Sequence, residues 1–378
     1  MSTLKVDGIR SNSATSDAIT LADNGTCIVN ITNNLSNRNL IINGAMQVAQ
    51  RGTSSTDTGY GSVDRFGISR SGQDEAPEQR QASLGTGDTG PYELGFRKAL
   101  KITNGNQTGG GGTGDYLRIY QFVEAQYMAQ SGWNYTSTSS YLTVSCWVKS
   151  SVAQNFYLEL RTQDGTQQAY VWETGNLTAN TWTKITKTIP GHANIQIDND
   201  NQHGPCLFIH LFNGTDMTGS MTLNQWAAYN TAIRTPDFGT ANDDWYETND
   251  STFELTGVQM EVGDHATDYE HKRYHTELVD CQRYYEEIEQ SNSGGMPVAI
   301  GQGYNTRKGI GYINFKVTKR VAPTAPNVNI PIDAGDTSHD SFFNTTTSGT
   351  TIRSSSSTNI GNADITSSGW TGKFSAEL

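Results

Sequence analysis

Three clusters in this chain set flat rings among amides and acids: Ser131-Gly132-Trp133-Asn134-Tyr135, Asn224-Gln225-Trp226 with Tyr229, and Asp243-Asp244-Trp245-Tyr246-Glu247. A ring beside hydrogen-bonding groups is what a sugar needs. The sugar's C–H face packs on the ring and its hydroxyls take paired hydrogen bonds. The third cluster is the most convincing because acids flank its ring pair. The competing reading is that Trp245 caps a hydrophobic core and the acids are merely solvated.

Other chemistry has thinner support. Asp198 and Asp200, in Asp198-Asn199-Asp200-Asn201-Gln202-His203, have the oxygen-rich composition of a calcium loop. They lack the bidentate Glu that an EF-hand places twelve positions along. A polar turn is therefore expected, and structural calcium is the one cofactor left open. His271 and His275 stand at i, i+4 without a third ligand, so surface or interface histidines are expected. Gly109–Gly114 has no following Lys-Ser/Thr and reads as a hairpin loop, not a phosphate cradle. Cys27, Cys146, Cys206 and Cys281 are far apart and read as buried thiols. The serine-hydrolase elbow and the zincin helix are both missing, and no Cys/His pair has a recognisable context. Glu159 and Glu173 are the carboxylates a glycosidase reading would use. Exposed strand carboxylates are far commoner, and the chain reads as a non-enzyme.

The elements that position these residues follow from composition. The chain has 378 residues, enough for roughly two or three domains. Only 34% of it is hydrophobic and 17% charged, with 39 Gly. Thr, Asn, Ser and Gly suit pleated surfaces joined by many turns, with disorder of the Ser/Thr tracts as the rival. The net charge of −12 argues against a nucleic-acid groove. No apolar run approaches the roughly 18 residues of a membrane span, and Met1–Val6 lacks a signal-peptide core. Neither nucleic acid nor membrane insertion is expected, and synthesis is expected in a cytoplasm.

Residues 1–38 hold short apolar pairs with a turn at Asp23-Asn24-Gly25, too few for a core of their own, so a stem whose copies pack around an axis is expected over a loose tail. Between 39 and 269, strands are expected at Asp64–Arg70, Phe96–Thr103, Asp115–Glu124, Tyr141–Ser150, Phe156–Arg161, Thr181–Pro190, Cys206–Phe212 and Phe253–Val262. Cys206–Phe212, apolar on both faces, should be central. A bulge at Thr256-Gly257 should correct the register of the last run. Such strands make a jelly-roll β-sandwich. Tyr274, Leu278, Cys281, Tyr285 and Ile288 recur at helical steps, predicting an amphipathic connecting helix over 270–290. A small C-terminal β-sandwich over 291–378 should take strands from Pro297–Ile300, Gly309–Thr318, Asn327–Ile332 and Trp370–Ala376. The tract Thr346–Thr358 is a loop or a polar strand pair. The fold class is mainly β.

Three segments look familiar together: NLIINGAMQVAQRGTS (39–54) with Val63-Asp64-Arg65-Phe66, LTGVQMEVGDHATDYE (255–270) with Cys281-Gln282-Arg283-Tyr284-Tyr285, and WTGKFSAEL (370–378). This combination resembles tail-fibre and related receptor-binding proteins of tailed bacteriophages, especially those infecting aquatic bacteria such as cyanobacteria. LTVSCWVKS (142–150), with Asn180–Thr183 and the 257–263 strand, also resembles carbohydrate-binding jelly-roll modules. The resemblance implies a virion component of the tail, usually a homotrimer, attached to other phage tail proteins and touching host surface polysaccharide or lipopolysaccharide. The helix face Tyr274/Leu278/Cys281/Tyr285/Ile288 would pack on the sandwich or around the three-fold axis. The runners-up are a tailspike-like polysaccharide depolymerase and a virion connector or decoration protein without a receptor.

Overall fold

The computed structural model describes residues 6–13, 15, 18–21, 27–29, 38–237, 244–289, 300–305, 308–324, 342–355 and 371–378. The mainly-β class is what it shows. Three short strands, β1 (Gly8–Ile9), β2 (Ile19–Leu21) and β3 (Cys27–Val29), form an antiparallel meander near residue 20. The Asp23–Gly25 turn expected there lies outside the described residues.

Two six-stranded antiparallel sheets form the body. The front sheet runs β14 (Trp226–Ala228), β11 (Gln168–Glu173), β10 (Tyr157–Arg161), β13 (His203–Asn213), β8 (Tyr116–Glu124), β5 (Gly67–Ser71). The back sheet runs β12 (Thr183–Pro190), β9 (Tyr141–Ser150), β15 (Thr252–Val262), β7 (Lys98–Thr103), β6 (Glu78–Ser83), β4 (Ser54–Ser55). Every run expected between 64 and 262 overlaps one of these strands, and β13 is interior to its sheet.

Period-two alternation sorts each strand between core and outer face. In β8, Leu117, Ile119 and Val123 enter the core, whereas Arg118, Tyr120 and Phe122 take the other side. Leu158 and Leu160 of β10 and Leu207, Ile209 and Leu211 of β13 join the same core. Each fully buried aliphatic chain contributes roughly 1.5–3 kcal/mol. The expected bulge is present: the β15–β9 register shifts between Thr256 and Gln259, and Gly257 sits at φ +61°. A Cβ there would lie 2.8 Å from the Phe96 ring, so the bulge needs glycine twice over.

Two expectations about connections are corrected. Gly109–Gly114 is not a hairpin loop, because β7 and β8 belong to different sheets and the run crosses between them. Asp74 and Asp115 hold it by accepting the Gly109 and Gly112 N–H groups at 2.6 and 2.8 Å. Besides the short α1 (Ala125–Ala129) and α2 (Asp244–Glu247), the helix expected over 270–290 is α3, confined to Tyr274–Gln282. Tyr285 and Ile288 lie instead on strand β16 (Tyr285–Glu289), paired with β21 (Thr371–Ser375). The buried helix face is also offset. Tyr274 is 54% exposed, while Glu277 and Cys281 are buried and Leu278 is half-buried. A carboxylate faces inward because Glu277 Oε1 accepts the backbone N–H of Asn43.

A further sheet orders β17 (Ile300–Asn305), β18 (Lys308–Asn314), β20 (Gly349–Ser355) and β19 (Phe342–Phe343). The low-complexity tract thus supplies β20. Of Pro297–Ile300 only Ile300 is described, opening β17, and Asn327–Ile332 lies outside the described residues.

The segments that looked familiar meet at one buried seam. Asn43 ties its own loop together, donating to the carbonyls of Val48 and Asp64 at 2.9 Å each. Asn39 bridges to β15, donating to Val258 O at 3.1 Å and accepting from Met260 N at 3.0 Å. Arg65 and Arg51 both pair with Glu377, and their guanidinium groups lie 3.6 and 3.5 Å from the Tyr284 and Tyr285 ring centroids. Lys319 pairs with Glu286 at 2.6 Å, both fully buried, and Arg320 donates to Ala376 O at 2.9 Å.

Candidate functional site

The structure disperses the predicted aromatic sites. Trp245 and Tyr246 are buried, with Trp245 Nε1 donating to Thr252 O at 3.0 Å and Tyr246 stacked on Phe212 at 3.9 Å. They are core residues, as the competing reading of this cluster had it, and their rings are not open to a sugar. Asp243 and the Asp244 side chain lie outside the described residues. Trp133 is also buried, its Nε1 donating to Ser140 O at 3.3 Å. Tyr135 is half-buried, edge-on to Trp133. Trp226 lies on edge strand β14, half-buried against Tyr170, with Nε1 donating to Pro190 O at 2.7 Å. Of these residues only Tyr229 reaches the site described below.

Asp198 and Asp200 are exposed. No group of three or more His, Cys, Asp or Glu side chains is gathered around a possible cation among the described residues. His271 precedes α3, donates from Nε2 to Leu94 O at 2.9 Å and packs on Phe96, so it forms no helical pair with His275. Cys146, Cys206 and Cys281 are buried free thiols, and burial pushes each thiol up.

A cavity of about 660 Å³ lies between α3, α1 and residues 317–318. Its charged lining is largely paired: Lys272 with Asp280 at 2.9 Å, and Arg283 with Glu124 at 2.6 Å. The outer face of the front sheet is different. An open groove of about 490 Å³ there is lined by Arg118, Tyr120 and Phe122 of β8, Arg161 of β10 and Phe208 of β13. Gln163 and Gln167 of the loop after β10 complete it, and about 250 Å³ more adjoins at Phe122, Gln163 and His203. Tyr120 and Phe122 are half-buried, so each ring keeps an open part. Tyr120 packs over Gly67 of β5, where a Cβ would meet the ring at 2.5 Å.

The ladder explains how these side chains meet. Phe208 pairs with Tyr120 on one side and Glu159 on the other, and His210 pairs with Arg118, so all share one face. The Arg118 and Arg161 guanidinium groups stand 4.4 and 4.1 Å from the Phe208 ring centroid, and Arg161 is also 4.0 Å from that of Tyr229. Arg234, from the loop after β14, shares the Tyr116 ring with Arg118.

Beneath them Glu159 is fully buried. Its Oε2 accepts from His210 Nε2 at 2.9 Å and its Oε1 lies 3.4 Å from Arg161 Nε. Asn213 donates to His210 Nδ1 at 3.1 Å, which fixes the proton on Nε2. Burial holds His210 below its ordinary value despite the Glu159 bond, so the ring is neutral. Burial alone would raise the Glu159 carboxyl, but the His210 bond and the Arg161 and Arg118 charges bring it below its usual range. Burial, then the Arg161 and Arg234 charges, lower Arg118. Glu173 is on the same face one ladder step away, exposed, accepting from Asn155 at 3.1 Å.

Sequence reasoning missed this groove. The available signal was that the non-core positions of β8 and β10 carry Arg, Tyr and Phe instead of Lys and Thr.

No protein-family model matches the chain, and no curated protein matches it. Solved structures of similar fold include the enzymatically active domain of tailspike protein 4 from bacteriophage CBA120. It is 10% identical with TM-score 0.32, over 60% of this chain and 21% of that one. The chain therefore spans about a fifth of that domain. The carbohydrate-binding module TmCBM61, solved with β-1,4-galactotriose, is 8% identical with TM-score 0.28, over 60% and 99%. The family 11 carbohydrate-binding module from Clostridium thermocellum, solved with a mixed-linked tetrasaccharide, is 9% identical with TM-score 0.26, over 57% and 98%. Likeness this distant carries nothing about residue roles.

Proposed function

We propose that this chain is a tail-fibre adhesion protein of a phage virion that recognises a host cell-surface glycan on the outer face of its front sheet. The observation that carries the reading is the groove: Tyr120, Phe122 and Phe208 beside the Gln163 and Gln167 amides. The rings for sugar C–H faces stand on one ladder, and the amides for hydroxyls on the loop beside it. In this reading the meander near residue 20 belongs to the attachment stem, and a homotrimer multiplies weak sites into avid adsorption. Binding without turnover fits the Glu159 carboxylate, engaged on one side by His210 and on the other by Arg161.

The test is adsorption of the purified chain to host cells and envelope polysaccharide, with Tyr120→Ala and Phe122→Ala compared at matched thermal stability. The proposal requires binding that both substitutions weaken. Reducing ends released from the polysaccharide would replace it with the depolymerase reading. Binding only to other tail proteins would replace it with a connector or decoration role.

A further inference from the structure

The groove has an unusual donor balance. Each guanidinium carries five N–H donors and no acceptor. Among the described residues, no hydrogen bond runs from the side chain of Arg118, Arg161 or Arg234 to any protein group. Arg118 Nε and Nη1, Arg234 Nε and Nη1, and Arg161 Nε are buried and without a hydrogen-bond partner. Arg161 is itself a buried residue lining the groove. Among the described residues the only carboxylate ion-paired with any of them is Glu159, 3.4 Å from Arg161 Nε, and its other oxygen is taken by His210. Three cations thus meet one anion and a neutral imidazole, in a chain of net charge −12. Holding like charges together on a sheet face costs stability, and burying donors without acceptors adds to that cost. A ligand anion would relieve both.

We propose that the groove takes an acidic saccharide, one bearing carboxylate or sulfate groups, with Arg118 and Arg161 as its charge-bearing donors. This rests on the reading of this face as the glycan site. The planar fork of each guanidinium matches a two-oxygen anion, and Phe208 holds both forks at a fixed spacing. Arg234 stands behind Arg118 and raises the positive potential without lining the groove. Gln163, whose Nε2 is a further buried donor without a partner, extends the same preference for acceptors.

The experiment is affinity electrophoresis of the full chain in gels holding polygalacturonate, dextran sulfate, or neutral dextran and galactan. The expected result is retardation by an acidic polymer and none by the neutral ones; whichever acidic polymer retards more tells carboxylate from sulfate. Arg118→Gln should weaken that binding about tenfold or more, since a charge-assisted pair is lost. Because Arg118 holds no protein hydrogen bond and its repulsion with Arg161 and Arg234 is removed, the variant should melt no lower than the parent. On the unmodified chain, raising NaCl from about 0.05 to about 0.5 M should weaken binding likewise, through screening. Equal retardation by neutral polymers, sensitive to Phe122→Ala but not to Arg118→Gln or salt, overturns the acidic preference and leaves the glycan face standing. Retardation by none of the polymers, with host polysaccharide also unbound, overturns both.

Discussion

Arg51 reaches Glu377 across 326 positions of sequence and meets it at 3.1 Å. Arg65 reaches the same carboxylate, donates to Phe122 O at 2.8 Å and stacks on Tyr284. Segments far apart in sequence, 39–66, 255–285 and 371–378, are therefore gathered by such pairings. Their shared residues hold the sandwich, α3 and the 371–377 segment together.

Glu377→Ala should be severely destabilising. It leaves Arg65, 1% exposed at its side chain, as an uncompensated buried charge, at a cost of about 3 kcal/mol. Urea denaturation of the variant should show a clear drop in midpoint. An unchanged midpoint would mean that the seam contributes nothing to the fold.

Asp64 sits in the same seam, 3.8 Å from Arg51 and accepting from Gln50 N at 2.9 Å. Burial nevertheless pushes its carboxyl up to about 6, above its value in the unfolded chain. The native state then binds more protons than the unfolded state between about pH 4 and about pH 6. This group's contribution is fully present below about pH 4 and lost as pH rises through about 6. Asp64→Asn, which keeps the site neutral, should gain about 2 kcal/mol on the parent between pH 4 and pH 7. A stability difference that stays constant over that range would show that burial does not govern this carboxyl.

Trp245→Ala should unfold or loosen the sandwich, with a loss of about 3–5 kcal/mol, because the ring is buried against Phe156, which in turn packs on Phe253. Any adsorption defect in this variant would track its melting curve. A variant with native stability but no adsorption would restore Trp245 as a contact residue.

Chelation should leave the melting temperature where it was, to within about 1 °C, since only a bound cation adds ligand-linked stability. Asp200 Oδ1 is already used in accepting Gln202 N at 2.9 Å, and Asp164 accepts Asp198 N at 2.9 Å. A calcium-dependent rise in melting temperature, abolished by Asp198→Asn, would overturn this.

The body of the fold was legible because alternation is a strong signal where one face is buried. Tyr141–Ser150 is a strand with the expected bounds, and Gly257 announced its bulge. β6, with sequence EQRQAS, carries almost no apolar pattern and is a strand because β7 and β4 pair with it. β11 is buried along nearly its whole length, which hides its period. The long helix failed because a 3–4 spacing continued by chance into Tyr285 and Ile288, where pairing with β21 decides the backbone. The site failed for a related reason. Trp and Asp were sought in loops, whereas Arg118 and Arg161 lie on strands, at positions where an outward Arg reads as solvated surface. Only three-dimensional pairing shows that Phe208 brings Arg118 and Arg161 together.

The pairing of Glu289 with Thr371 closes residues 290–370 into an excursion that departs from and rejoins adjacent rungs of one ladder. Lengthening such a closed loop is cheap, since doubling it costs only about 0.6 kcal/mol. Among its described residues Lys319 and Arg320 enter the seam, and Phe315 and Phe342 pack on Phe374. A graft that preserves Lys319, Arg320 and an apolar ring at the Phe342 position can therefore exchange the rest of the β17–β20 sheet while the groove on the front sheet stays untouched.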